Sequence, residues 1–193
     1  MKTSGMRVVL AIALAISLAA TGCSSQWIST ALADLPVLLQ MALNIATFAE
    51  TAQGKVISAA DQAAIQTISS EASKDLNLLQ TLYNEYKASP SDATLQKINA
   101  AIGVVQQNLP ALLQAAHISD AALAQQVTAG VNLILSTVES FAALIPQSSS
   151  SSSSAANVHA QRVTKAAAVI PSPAELKLKW NVGVCGEDAC KVR

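Results

Sequence analysis

Aromatic residues make up 3% of this 193-residue sequence and charged residues 12%, with only two histidines and three cysteines. So few large rings beside so much alanine argue against a sheet core and favour closely spaced helices. A di-metal helical bundle needs Glu-x-x-His pairs on facing helices, and none occurs. No glycine-rich phosphate loop follows a strand, so both nucleotide-binding fingerprints are missing. His117 lies near Ser119 and Asp120, but three side chains at one helix start cannot converge on a substrate atom; capping explains Ser119 and Asp120. His159 lies in a tail region where solvation is the ordinary state, and Glu71, Asp75 and Glu85 read as a solvated helix face eased by Lys74. No catalytic constellation results, and the chain is expected to be non-enzymatic, with no metal site and no cofactor.

The sequence does contain long periodic stripes. Ile28, Leu32, Leu35, Leu39, Ala42, Ala46 and Ala49 recur at intervals of four and three, widened by Leu38, Ile45 and Phe48, and predict a helix over 27–50. Ser58 with Asp61 resembles a capping box and opens a second helix over 58–88, carrying Ile65, Ile68, Ala72, Leu76, Leu79, Tyr83 and Tyr86 inward. A third is expected over 90–116, with Pro90 at its first position and a kink at Pro110, and a fourth over 119–145. Gly103 and Gly130 are expected to mark close backbone approach to a neighbour. Short connections make an all-α, antiparallel up-and-down four-helix bundle over 23–147 the simplest arrangement. Leu35-Pro36-Val37-Leu38-Leu39-Gln40-Met41-Ala42 and Leu109-Pro110-Ala111-Leu112-Leu113-Gln114-Ala115-Ala116 agree at six of eight positions, which raises a duplicated hairpin beside chance similarity.

After Pro146, Ser148 to Ser154 form a Ser-rich linker expected to be flexible. Charge then changes sign. Residues 24–147 hold four Lys against nine acids, a balance of −5, whereas the basic tail 155–193 holds six Lys or Arg against three acids, a balance of +3. In the tail Leu176, Leu178, Trp180, Val182 and Val184 alternate with polar residues or glycine, the period-two signature of a strand over 175–184. A lone strand needs a ladder partner, which makes Leu176, Leu178, Trp180 and Val182 a candidate partner-binding edge. Cys185 and Cys190, five apart and remote from other ligands, predict a small disulfide loop in an exported protein, with free or intermolecular thiols as the alternative.

At the other end Lys2 and Arg7 precede an apolar run from Val8 to Ala20, the layout of a signal peptide over residues 1–22. Thirteen residues of helix reach about 20 Å, short of the roughly 30 Å hydrocarbon core of a bilayer. The run closes on Leu18-Ala19-Ala20-Thr21-Gly22-Cys23. This resembles the lipobox of bacterial lipoproteins, with Ala20 where the family prefers Leu. The resemblance implies that Cys23 receives a diacylglyceryl group, that cleavage precedes it, and that further acylation anchors the protein stably in a membrane. Ser24 in place of Asp resembles lipoproteins sent to the outer membrane, if the source is Gram-negative. Trp27, four residues from the anchor, is a candidate membrane contact, with a place in the core of the first turn as the alternative.

Together these features predict a lipid-anchored envelope protein acting as a scaffold or interaction module, its tail meeting an envelope protein partner. The other reading is a bundle that binds a small hydrophobic ligand or lipid between its proline-bearing helices. Six cations spread over 39 residues are too dilute for a nucleic-acid surface, and no nucleic acid is expected.

Overall fold

A computed structural model describes residues 26–51, 57–145 and 170–186. Four long helices form its body: α1 (Gln26–Thr51), α2 (Ala59–Ala88), α3 (Asp92–Ala115) and α4 (Ala121–Leu144). Each packs on its neighbours in chain order, and α4 returns to α1, so the helices form a closed ring with α1 and α3 across one diagonal. A fifth helix, α5 (Pro173–Lys179), runs on into a wide turn, Trp180–Val184, and lies against α1 and α4. Among the described residues there is no β-strand.

The starts of α2, α3 and α4 are each written in a short polar side chain. Ser58 Oγ accepts the N–H of Asp61 at 3.0 Å, Ser91 Oγ that of Thr94 at 3.1 Å, and Asp120 Oδ1 those of Ala122 and Leu123 at 2.9 and 3.0 Å. Because Ser91 is the cap, α3 begins at Asp92 and Pro90 precedes the helix instead of opening it. Pro36 and Pro110 both lie inside continuous helices, so neither breaks its apolar stripe. The Asp61 carboxylate does not turn back to close a capping box. It accepts the Ser119 N–H at 3.0 Å, tying the start of α2 to the α3–α4 turn.

The buried face of α1 is wider than the expected stripe and shifted toward its widening residues. Leu32, Leu39, Ala46 and Ala49 are half-buried, while Trp27, Ala31, Leu38, Met41, Ile45 and Phe48 are buried. Ile28, Leu35 and Ala42 of the expected stripe are buried as well, so the core takes in the widening residues and part of that stripe, and the rest of the stripe is its flank. α1 and α4 are also long and apolar enough to cross a membrane by length and composition, yet here they pack on each other and on the rest of the ring.

Two expectations are corrected, the first in the tail. Residues 175–184 are helical, not a strand, because the chain carries complete helix signals. Ser172 Oγ accepts the Glu175 N–H at 3.3 Å, the Glu175 carboxylate accepts the Ser172 N–H at 2.6 Å, and Pro173 occupies the first turn. Leu176, Trp180 and Val184 are four residues apart, a spacing that serves a helix as well as an alternating strand. Leu178 and Val182 separate the two readings: a strand would place them with the buried three, and they are 62% and 61% exposed. The predicted binding edge Leu176, Leu178, Trp180 and Val182 is therefore divided, two residues inward and two outward. The second correction is Gly103, whose surroundings would leave an added Cβ in open space.

Candidate functional site

The described helices bring together two unusual groupings, one inside the bundle and one in the groove between α1 and α4. Inside, Trp27, Ala31, Asp34, Leu38, Met41, Ile45 and Phe48 make a strict four-three stripe along α1, and Asp34 is the only polar residue on it. Its side chain is fully buried, and neither carboxylate oxygen has a hydrogen-bond partner. Burial disfavours the charged form and raises its pKa from 3.8 to about 6. The Trp27–Tyr83 ring contact and the Ser69 Oγ bond to the Ala42 carbonyl, 2.7 Å long, fix the register of α1 on α2. That register brings Asp34 level with Leu76, in the middle of the apolar interior.

Nearer the start of α1, Trp27 takes the core position. It is 7% exposed, with its ring 5.7 Å from Tyr83 edge-on and 5.8 Å from Tyr86, and Tyr83 meets Phe141 at 6.2 Å. Trp27 Nε1 and the Tyr83 hydroxyl are both buried without a partner, and burial pushes the Tyr83 phenol above its ordinary range. A buried Asp, an indole N–H and a phenol within one apolar interior are costly to leave unpaired. They contain no nucleophile paired to a base, and they lie under the helices instead of in a cleft.

In the groove, Trp180 is the anchor. Its ring is fully buried and stacks on Phe48 of α1, with centroids 5.7 Å apart and planes at 19°. On α4 it lies against Gly130, where a Cβ would come within 3.1 Å of Cζ3 and 3.2 Å of Cη2. The expected close approach at Gly130 is therefore real, and the neighbour is a tryptophan ring. The Cys185 N–H bonds to the Trp180 carbonyl at 3.1 Å, five residues back, and this wide turn brings both Val184 and Cys185 round to the buried side. Away from this contact, Ala124, Gln125, Thr128, Ala129 and Asn132 line a shallow hollow on α4 of about 350 Å³ that opens to solvent.

Other residues singled out in the sequence are dispersed. His117 is exposed, Ser119 serves through its backbone N–H, and Asp120 is the cap of α4. Asp75 is buried and accepts a 3.4 Å bond from Asn108 Nδ2, whereas Glu71 pairs with Lys74 at 3.1 Å on the surface. Among the described residues no three His, Cys, Asp or Glu side chains gather as metal ligands would. Cys23, the signal-peptide segment, the Ser-rich linker, residues 155–168 and Cys190 lie outside the described residues. Cys185 is described and buried. Sequence reasoning missed Asp34 and the inward role of Trp180. The first was visible as an acid in phase with Trp27 and Leu38; the second had its signal in Ser172-Pro173-Ala174-Glu175. No protein-family model, curated protein or solved structure matches this chain.

Proposed function

We propose that this protein is a lipid-anchored, non-enzymatic scaffold or interaction module of the bacterial cell envelope. The observation that carries the reading is the nearness of Cys23, at the end of the lipobox-like Leu18–Cys23, to a helical body that starts at Gln26. Only Ser24 and Ser25 lie between Cys23 and Gln26, so a lipid on Cys23 would hold the whole helical body close to the membrane surface. The anchor and the fold are then separate devices: acyl chains supply residence on the membrane, and the helices supply a surface to present there.

On that surface the tail contributes Leu178 and Val182, the two most exposed large apolar residues described, beside Lys177 and Lys179. They are the part of the tail available to an envelope partner, since Leu176 and Trp180 are occupied by the bundle. A Cys185–Cys190 disulfide belongs to the same reading, and Gly186, at φ 68°, turns the chain directly after Cys185. The lipid-binding alternative has less support, because Leu35, Leu38 and Leu109 beside the two prolines are fully buried by protein.

The test is metabolic labelling with an alkyne fatty acid in a bacterial host, followed by fractionation. The unaltered chain should take up label and sediment with membranes, and Cys23→Ala should lose both properties. Label retained in Cys23→Ala, or an unlabelled and soluble wild type, would remove the anchor. Proximity labelling with residues 148–193 deleted then tests the tail, whose loss should change the set of neighbouring proteins.

A further inference from the structure

The contact between α5 and the groove has the anatomy of a ligand in a binding site. The groove is cut to shape: Gly130 is a poor helix former placed well inside α4, and the space left by its missing side chain is filled by the Trp180 ring and by Val184, whose Cγ1 is 3.6 Å from the Cβ position. Phe48 supplies a flat wall on the opposite helix. Gly103, inside α3, has no such neighbour.

The segment that fills the groove carries its own folding signals. A complete capping box starts it and a left-handed glycine follows it, and neither involves a residue of the bundle. Its three anchors, Leu176, Trp180 and Val184, are spaced as in an amphipathic helix laid in an apolar groove. Its hold is limited, because seven α-helical residues and one wide turn are too few to be stable alone. Moreover the buried Trp180 Nε1–H finds no acceptor in the site.

We infer that the α1–α4 groove is a receptor site for an amphipathic helix, which this chain fills reversibly with its own segment Pro173–Val184. The specificity lies in a tryptophan flanked four residues away on each side by an aliphatic residue. Release uncovers the Phe48 wall and the Gly130 hollow on the bundle, and Leu176, Trp180 and Val184 on the segment. The site does not depend on the anchor at Cys23, so the two proposals fail separately.

A labelled synthetic peptide spanning residues 171–184, added to the full mature chain, tests the site. In Trp180→Ala the tethered segment is disabled and the groove left open, so the peptide should bind. The unaltered chain should bind at least about tenfold more weakly, because a tethered competitor acts at an effective concentration on the order of millimolar. Gly130→Leu, with the hollow filled, should not bind. No binding to Trp180→Ala, or equal binding to all three chains, overturns the proposal; circular dichroism establishes that both variants retain the helical body. Hydrogen exchange on the unaltered chain tests reversibility without substitution. Amides 176–184 should exchange at least about a hundredfold faster than those in the middle of α1 and α4, and equal protection would refute reversible docking.

Discussion

The body of the bundle and its fifth helix hold their places by different means. Helices α1 to α4 run 24 to 30 residues each, and each packs against two others of the ring. α5 and its wide turn together span 12 residues, seven plus five, and lie in one groove through Leu176, Trp180 and Val184. Long mutual packing makes the body cooperative, so a defect anywhere is felt everywhere. A short segment held from one side can be lost alone, and its local capping matters more.

The largest expected effect is in the body. Phe141→Ala removes a fully buried ring that meets Tyr83, and should cost about 3–5 kcal/mol. The check is urea denaturation followed by helical dichroism, in which the whole transition should move as one. Loss of only part of the signal would show that the body is not a single cooperative unit.

Next comes Asp34, where the direction is reversed. Its carboxyl titrates at about 6 when folded against 3.8 ordinarily, so between those values the folded state holds more protons than the unfolded one. Stability therefore falls as pH rises from about 4 to about 6 and stays lower above that range, by up to about 3 kcal/mol at about 1.4 kcal/mol per pKa unit. Asp34→Asn removes the titration, and the variant should be the more stable one at pH 7.5 with the difference vanishing near pH 4. A stability that rises with pH through this interval would mean that the carboxylate has a partner.

Two smaller effects separate the tail from the body. Ser172→Ala deletes the cap of α5 and should weaken docking by about 1 kcal/mol, read as faster exchange of amides 176–184 with the urea midpoint of the body unmoved. Smallest of all, Leu178→Glu and Val182→Glu should each change stability by less than about 0.5 kcal/mol, as exposed positions do. A large loss from either would restore the strand, in which these side chains share the buried face.

The contrast also explains what the sequence could reveal. Over α2, the residues Ile65, Ile68, Ala72, Leu76, Leu79 and Tyr83 sample enough turns for a helical period to be distinguished from any other. The segment from Leu176 to Val184 is too short for that, because a four-residue repeat is both one helical turn and two strand periods. Its capping residues carried the deciding information. The polarity pattern of the tail was legible, but its docking was not, since the fit of Trp180 to Gly130 joins residues fifty positions apart. Asp34 illustrates a different limit: local reading assigns an isolated acid to the surface, and only its phase with Trp27 and Leu38 shows that it lies inside. The proposed acylation at Cys23 rests on a short motif with no tertiary counterpart among the described residues.

Everything that distinguishes the tail from the body depends on the placement of Trp180, which nuclear Overhauser spectroscopy of the full chain can test directly. Strong cross-peaks should join the Gly130 Hα protons to the Trp180 ring protons at Cζ3 and Cη2, because a Cβ at Gly130 would be 3.1 and 3.2 Å from those carbons. Their absence, with random-coil shifts from Leu176 to Val184, would contradict the docked helix and leave the α1–α4 groove without its occupant.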